Sequence, residues 1–243
     1  MVTLKYQERF KTDKGVFDEF TKRTLFELQS KGMFDEVNIP LKVGKESNVF
    51  VAKHEGKNII IKIYRMQNCD FLRMFGYIKQ DPRYNFLKQH RRQVIMAWTQ
   101  REYKNILRAQ KSGTRVPAPL AWRNHILVEE FIGDGDIAAP PLKDCPPQNP
   151  NKFFEDLIIQ VQKMYAGGLV HGDLSSFNIL NHNEKPVIID FSQSTLTKTP
   201  NAQELLIRDI KNITNYFIKL GVKCQTEELL QKIIASAPKK NKE

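Results

Sequence analysis

Between Gly15 and Lys31 the apolar residues Phe17, Phe20, Leu25 and Leu28 recur at roughly helical spacing, and Gly32 follows as a stop signal. The spacing predicts an amphipathic helix there. From Leu41 to Tyr64 the pattern changes to strands, interrupted by Gly44 and by the turn His54-Glu55-Gly56-Lys57. A second helix is predicted from about Val94 to Lys111, ending at Gly113, and two further strands meet around Arg123-Asn124-His125. The stretch from Gly133 to Pro150 is rich in Gly, Pro and Asp and reads as a connection between two parts of the chain.

Beyond it the pattern is mainly helical. Asn149-Pro150 offers an N-cap and a first-turn proline to a helix carrying Phe153, Phe154, Leu157, Ile158, Val161 and Tyr165, closed by Gly167-Gly168. Asn201 followed by Glu204 predicts a capping box for a helix through Leu220, with Gly221 beyond its end. Thr226 is expected to cap a last short helix that stops before Pro238, and the final residues are expected to be disordered. The organisation is therefore α+β in two lobes. Residues 1–132 form a helix and a small β-rich N-lobe, 133–150 a hinge and interlobe connection, and 151–243 a helical C-lobe with a short basic tail. There is no internal repeat.

The chemistry concentrates between Val170 and Ser192, VHGDLSSFNILNHNEKPVIIDFS. Phosphoryl transfer from a nucleoside triphosphate needs a carboxylate to orient the attacking hydroxyl and two oxygen ligands to hold Mg²⁺ on the phosphates. Asp173 supplies the first, and Asn178 with Asp190 the second. Pro186-Val187-Ile188-Ile189 reads as a buried strand, so Asp190 emerges at its end. Upstream, Ile59-Ile60-Ile61-Lys62-Ile63-Tyr64 is apolar except for one lysine, which is costly to bury without a partner. Glu102 on the next predicted helix is the natural partner, since kinases pair a strand lysine with a helix glutamate so that the lysine holds the α- and β-phosphates. The single glycine of Val43-Gly44-Lys45-Glu46-Ser47-Asn48-Val49-Phe50 lets backbone amides approach phosphate, but a plain hairpin turn explains the same residues.

Composition narrows the setting. With 41% hydrophobic residues the chain can build a core, while no run approaches eighteen apolar residues, so no membrane-spanning helix is expected. The beginning MVTLKYQERFKTDK lacks the apolar stretch of a signal peptide. Cys69, Cys145 and Cys224 are far apart and form no CxxC pair, which points to a reducing, cytoplasmic setting rather than a zinc site or disulfide framework. The formal charge of +11 exceeds what nucleotide phosphates require. Its surplus clusters at Lys88-Gln89-His90-Arg91-Arg92 and Lys239-Lys240-Asn241-Lys242. Such clusters are usually solvated surface, but the charge of the whole chain points to RNA or ribonucleoprotein contact. The long segment Asp70 to Arg92 mixes Phe71, Phe75, Tyr77, Tyr84 and Phe86 with Arg73, Arg83, Lys88, Arg91 and Arg92. Either it stacks on and neutralises RNA, or it is a partly helical insertion packed on its neighbours.

With these residues in hand, the sequence resembles the RIO kinases, an atypical serine/threonine protein kinase family, and within them the type-1 branch in its short archaeal-like form. The likeness runs from about Phe17 to Gly221. It is carried by Gly44-Lys45-Glu46-Ser47-Asn48-Val49-Phe50, Ile61-Lys62-Ile63-Tyr64-Arg65, Asp81-Pro82-Arg83-Tyr84, and Trp98 with Glu102. It continues through Glu130-Phe131-Ile132-Gly133, His171-Gly172-Asp173-Leu174-Ser175 and Ile189-Asp190-Phe191-Ser192-Gln193-Ser194. Aminoglycoside-type phosphotransferases share a His-Gly-Asp and an Ile-Asp-Phe but not the lysine-loop and hinge segments.

The resemblance implies a two-lobed protein-kinase-like fold and the use of ATP with Mg²⁺, or Mn²⁺ in its place. It implies that Lys62 and Glu102 form the phosphate-positioning pair, and that the loop from Val43 to Val49, including Gly44, Lys45, Ser47 and Asn48, covers the phosphates. It implies adenine contacts from the backbone of Glu130 and Ile132, a catalytic Asp173, and Mg²⁺ on Asn178 and Asp190. In this family the metal-binding aspartate is also implicated as a transiently phosphorylated residue. The implied partner is a small ribosomal subunit precursor and its rRNA, met by a monomer or weak dimer. Three departures stand out: Glu129 replaces an apolar gatekeeper such as Met, Ser176-Phe177 replaces Glu-Tyr, and Lys42-Val43 replaces Ser-Thr.

Counting residues after the metal aspartate bears on the substrate. Conventional protein kinases need a long activation segment ending in Ala-Pro-Glu to shape a peptide-binding surface. Here Asp190 precedes Phe191-Ser192, and the Asn201 helix start follows within about ten residues, at most roughly 35 Å when extended. This reduced segment favours autophosphorylation or ATP hydrolysis over broad phosphorylation of peptides. Two alternatives are an assembly factor that holds ATP without turning it over, and a small-molecule phosphotransferase of the aminoglycoside type.

Overall fold

Turn chemistry and strand alternation account for most of the first half of the chain. The computed structural model describes residues 17–67 and 69–237; the predicted disordered end and the basic cluster at Lys239 lie outside them. Helix α1 (Glu19–Ser30) starts at Asp18, whose side chain accepts from the Thr21 N–H. Strands β1 (Glu36–Val43), β2 (Ser47–His54) and β3 (Lys57–Tyr64) follow. The β2–β3 hairpin closes on Glu55-Gly56, both left-handed with φ of 48° and 78°, the conformation that matches strand twist in a two-residue turn. Strand β1 begins five residues before the predicted Leu41. Pro40 lies within it, between two register shifts, and is tolerated because β1 is the edge of the sheet.

Strands β4 (Pro119–Arg123) and β5 (Ile126–Glu130) complete an antiparallel five-stranded sheet of order β1-β2-β3-β5-β4. Alternation along β3 divides its side chains between two faces. Ile59, Ile61 and Ile63 join Leu25, Leu28 and Phe50 in the core beneath α1, whereas Ile60, Lys62 and Tyr64 line a cleft on the other face.

The segment after β3 is a packed insertion. Helix α2 (Phe71–Lys79) and a 3₁₀ turn at Pro82–Tyr84 lean on α3 (Arg91–Lys111) through Met74, Ile78, Tyr84, Val94, Ile95 and Trp98. Several residues offered for RNA contact are thereby drawn inward, with Phe71, Phe75 and Tyr77 packed against this core. Tyr84 is buried, and the Arg83 guanidinium is paired to Asp81 at 2.6 Å. Arg73, Lys88, Arg91 and Arg92 remain at the surface.

The second half centres on a larger helical core. The short strands β6 (Gly133–Asp134) and β7 (Ile137–Ala138) precede helix α4 (Pro150–Ala166), which starts as predicted, with Asn149 accepting from the Lys152 N–H. Strand β8 (Leu169–Val170) pairs with β11 (Thr195–Leu196), and β9 (Ile179–His182) with β10 (Lys185–Ile188). Helices α5 (Ala202–Lys219) and α6 (Thr226–Ala235) close the chain. The predicted capping box does not form: Asn201, at φ −90° and ψ 4°, lacks the extended backbone usual for an N-cap, and its side chain caps nothing. Thr226 also does not cap; its hydroxyl meets Thr214 at 3.1 Å, and Gln225 precedes the helix. Ile106, Ala109, Val116 and Leu127 belong to the helical core, so that core draws on residues well before the predicted hinge.

Candidate active site

The cleft between the sheet and the helical part has a volume of about 720 Å³ and takes lining from both. Lys62 sits at its inner end, buried at 7% exposure. Its Nζ donates to Glu102 Oε1 at 2.8 Å and to Asp190 Oδ1 at 2.9 Å. The Tyr64 hydroxyl donates to the other Glu102 oxygen. Burial opposes the charge on Lys62, yet the Asp190 and Glu102 carboxylates outweigh it and hold the pKa well above the ordinary lysine value. Burial likewise opposes the Asp190 charge, and Lys62, by charge and hydrogen bond, holds that carboxyl far below the usual range.

Asp190 adopts φ of 62°, a left-handed conformation uncommon outside glycine. Such strain persists only where the surroundings over-determine it. Here they do. Arg101 Nη1 donates to the Ser192 carbonyl at 2.8 Å, and Asn105 Nδ2 to the carbonyls of Ser194 and Phe191 at 2.8 and 3.3 Å. Arg101 is itself fixed by Asp81 at 3.0 Å, and Asp81 and Arg101 are both fully buried.

The loop before Asp173 is equally constrained. Gly172 has φ of 80°, and a Cβ there would stand 2.9 Å from the Gln193 carbonyl oxygen, so only glycine fits. Buried Asp209 on α5 accepts from the Gly172 N–H at 2.7 Å and the Leu174 N–H at 2.9 Å, while Arg208 donates to the Gly172 carbonyl. Burial, against those two N–H bonds, pushes the Asp209 carboxyl up to about 7. His171 is fully buried; burial lowers its pKa to about 4 and keeps it neutral. Its Nε2 bonds the Ile189 carbonyl at 3.0 Å and its Nδ1 accepts from the Asp173 N–H at 3.3 Å, which assigns the proton to Nε2.

Asp173 Oδ2 accepts from Gln193 Nε2 at 3.1 Å and Asn178 Nδ2 at 3.3 Å, and the same Asn178 nitrogen donates to the Asp173 carbonyl at 2.9 Å. That commits the amide nitrogen of Asn178 to Asp173 and leaves its carbonyl oxygen for another partner. The Asp173 carboxyl is raised by burial and next by the Asp190 charge. Asn178 and Asp190 come together because β9 and β10 form one hairpin, with the Ile189 N–H bonding the Asn178 carbonyl at 3.0 Å. One carboxylate and one amide oxygen suit Mg²⁺, which takes few protein ligands and completes its shell with water and phosphate. Among the described residues no cluster of three or more His, Cys, Asp or Glu forms a self-sufficient metal cage.

The remaining expected residues divide. Gly44, Lys45, Ser47 and Val49 line the cleft, as do Glu130 and Ile132. Gly44 donates to the Ser47 carbonyl at 3.0 Å across a turn too tight for a Cβ. The side chains of Val43 and Asn48 do not line it: Val43 is 64% exposed, and buried Asn48 accepts from Arg65 at 3.1 Å. Strand alternation turns them away from their lining neighbours. Asp209, Gln193, Arg101 and Tyr64 had no place in the sequence-based site. Asp209 and Arg101 did carry a signal, since each is a charge lying among the apolar positions of an amphipathic helix.

Comparison with known proteins identifies the family. Residues 48–230 match the RIO domain family. The chain is 40% identical over 230 residues to the RIO-type serine/threonine-protein kinase Rio1 of Methanocaldococcus jannaschii, covering 94% of this chain and 79% of that one. It is 35% identical over 229 residues to the Haloferax volcanii counterpart, with the same coverage, and 32% identical over 231 residues to human RIO1, covering 91% and 41%. Among solved structures, the Rio2 kinase of Chaetomium thermophilum in an ADP/Mg²⁺-phosphoaspartate complex superposes with a TM-score of 0.71 at 24% identity, over 90% of this chain and 67% of that one, which shows a shared fold. The chain belongs to the RIO family of atypical serine/threonine protein kinases.

Proposed function

We propose that this kinase binds ATP with Mg²⁺ in the cleft and transfers the γ-phosphoryl group to itself or to water while engaged with a small ribosomal subunit precursor. The observation that carries the reading is the pair of hydrogen bonds that Lys62 donates to Glu102 and Asp190, beside the Asp173–Asn178 pair. Lys62 neutralises and orients the phosphates, and Asp173 accepts a hydrogen bond from the attacking hydroxyl or water. Asn178 and Asp190 would hold Mg²⁺, which supplies charge neutralisation on the phosphate oxygens; Mn²⁺ could replace it. An Asp190 carboxylate released from Lys62 is also a nucleophile placed at the same cleft, and the Rio2 kinase complex from Chaetomium thermophilum carries a phosphoaspartate.

The chain after Asp190 supports this choice of acceptor. A 3₁₀ turn at Phe191–Gln193 runs into β11 and then into α5 at Ala202, leaving no segment for a peptide platform. The test is incubation with γ-labelled ATP, with and without small-subunit precursor, following phosphate on the protein and in solution. Label on the chain or released phosphate, dependent on Mg²⁺, is expected. ATP bound without either outcome would leave a non-catalytic assembly factor.

The rRNA part of the reading rests on the surface cations of the insertion. Lys88, Arg91 and Arg92 are exposed, with Arg91 over the Phe71 ring at 4.5 Å and Arg92 over the Phe20 ring at 3.8 Å. Replacing all three with Gln should shallow the salt dependence of binding to small-subunit rRNA by about 0.7 log units per lost phosphate contact. Coincident slopes for the two proteins would make the cluster ordinary solvated surface.

A further inference from the structure

We propose that Glu129 reads the nucleobase, its carboxyl group pairing with the edge of adenine that carries the exocyclic amine and N7. The proposal rests on the nucleotide reading of the cleft and adds a specificity residue to it. Glu129 lies in β5 directly opposite Ile60 of β3, on the sheet face that also presents Lys62. The cleft it lines also carries Val49, Ile60, Leu180 and Ile189, apolar surface for a flat ring. The neighbouring Glu130 is committed elsewhere, since its carboxylate accepts from the Ala118 N–H at 2.9 Å and its own N–H donates to the Ala118 carbonyl. The Ile132 carbonyl accepts from Ala139, whereas the Ile132 N–H has no partner among the described residues. One wall of the cleft thus carries an unused backbone donor and, three residues before it, an unused carboxyl group.

The carboxyl is unused in a strict sense. The Glu129 side chain makes no hydrogen bond or ion pair with any described residue. The charged groups around it are Lys62, Glu102 and Asp190, and the lysine is already shared between the other two carboxylates. Burial, then the Glu102 charge, lifts Glu129 to about 8, which favours the protonated carboxyl. A neutral carboxylic acid presents one acceptor and one donor side by side, as the side chain of Gln does. That is the complement of adenine, which shows an N6–H donor next to the N7 acceptor; guanine shows two acceptors there, O6 and N7. An apolar residue at this position can only shape the wall, whereas Glu129 can discriminate chemically.

The test pairs protein variants with nucleotide variants. Binding of the Mg²⁺ complexes of ATP, 7-deaza-ATP, purine riboside triphosphate and GTP is measured on wild type, Glu129→Gln and Glu129→Met. Deleting the exocyclic amine should weaken wild-type binding by about 5-fold or more beyond the penalty seen in Glu129→Met, the lower end for a bidentate base contact. Glu129→Gln should keep the wild-type penalty. In wild type alone, 7-deaza-ATP, which lacks only N7, should bind about 5-fold or more weakly than ATP, a readout that stands even if Glu129→Met fails to fold. Equal penalties in wild type and Glu129→Met, or equal affinities for ATP and 7-deaza-ATP, overturn the assignment and leave the nucleotide reading intact. Failure of ATP to bind wild type overturns both.

Discussion

Arg101 and Glu102 are consecutive on α3, yet the ion networks they anchor differ in kind. The Arg101 network faces inward. Asp81, Arg83, Arg101 and Asn105 bond one another and three backbone carbonyls, with no group turned toward the cleft. The Glu102 network faces the cleft, and its outer member Asp190 keeps 39% side-chain exposure. The first network can only hold. The second can exchange, because a nucleotide phosphate or a cation can compete for Lys62 or Asp190. One helix thus fixes the position of a loop with one residue and leaves its charge negotiable with the next.

The sharpest way to break this contrast is Arg101→Leu. It leaves Asp81 buried with Arg83 alone and frees the Ser192 carbonyl, so a loss of about 3–5 kcal/mol in unfolding free energy is expected by denaturant titration. A loss under about 1 kcal/mol would mean that the network is not structural.

Asp190→Asn should invert the pattern. The fold should persist, while turnover of ATP falls by about 10²–10³-fold, the range for removing one preorganised electrostatic group from a reacting site. Unchanged rates with unchanged Mg²⁺ dependence would remove Asp190 from the metal site.

Tyr64→Phe probes the depth of the exchangeable network. The hydroxyl satisfies a buried Glu102 oxygen, so about 1.5–3 kcal/mol of stability should be lost, with turnover retained in part. Stability equal to wild type would show that Lys62 alone satisfies Glu102.

Glu129→Gln gives the most graded effect, one spread over pH rather than read at a single value. Burial and Glu102 lift the carboxyl from 4.5 to about 8. The folded state therefore holds a proton that the unfolded chain releases between those values, so wild-type stability falls as pH rises through that window and levels above it. Gln holds no such proton. The stability advantage of the variant should widen by at most about 1.4 kcal/mol per pH unit between pH 4.5 and about 8. A difference independent of pH would show that the carboxyl is ionised throughout.

Much of this arrangement was legible in the residues because its elements are local. The Glu55-Gly56 turn, the Asn149-Pro150 helix start and the lysine in an apolar strand each state their conformation within a few positions. The spacing from Asp173 through Asn178 to Asp190 likewise marked residues that the fold brings together, since Asp173 and Asn178 bond each other and Asn178 and Asp190 flank one hairpin. What stayed hidden depends on contacts across the chain. Asn201 resembles a cap by composition, but the turn that delivers it holds ψ near 4°, away from the extended backbone an N-cap takes. Asn48 belongs to the phosphate-loop motif, but the alternation of β2 gives its side chain to Arg65. Asp209 supports Gly172 from a point 37 residues away, a relation no local pattern encodes.

The hairpin of β9 and β10 has a mechanical consequence. Asn178 and Asp190 stand at its two open ends, tied by the Ile189 to Asn178 backbone bond, whereas Lys62 reaches Asp190 from the sheet across the cleft. Any rocking of the sheet against the helices changes the separation of Lys62 and Asp190 and leaves that of Asn178 and Asp190 alone. Asn178 and Asp190 behave as one jaw of a vice and the lysine as the other. Opening the vice alters the charge that Asp190 meets without disturbing its spacing from Asn178.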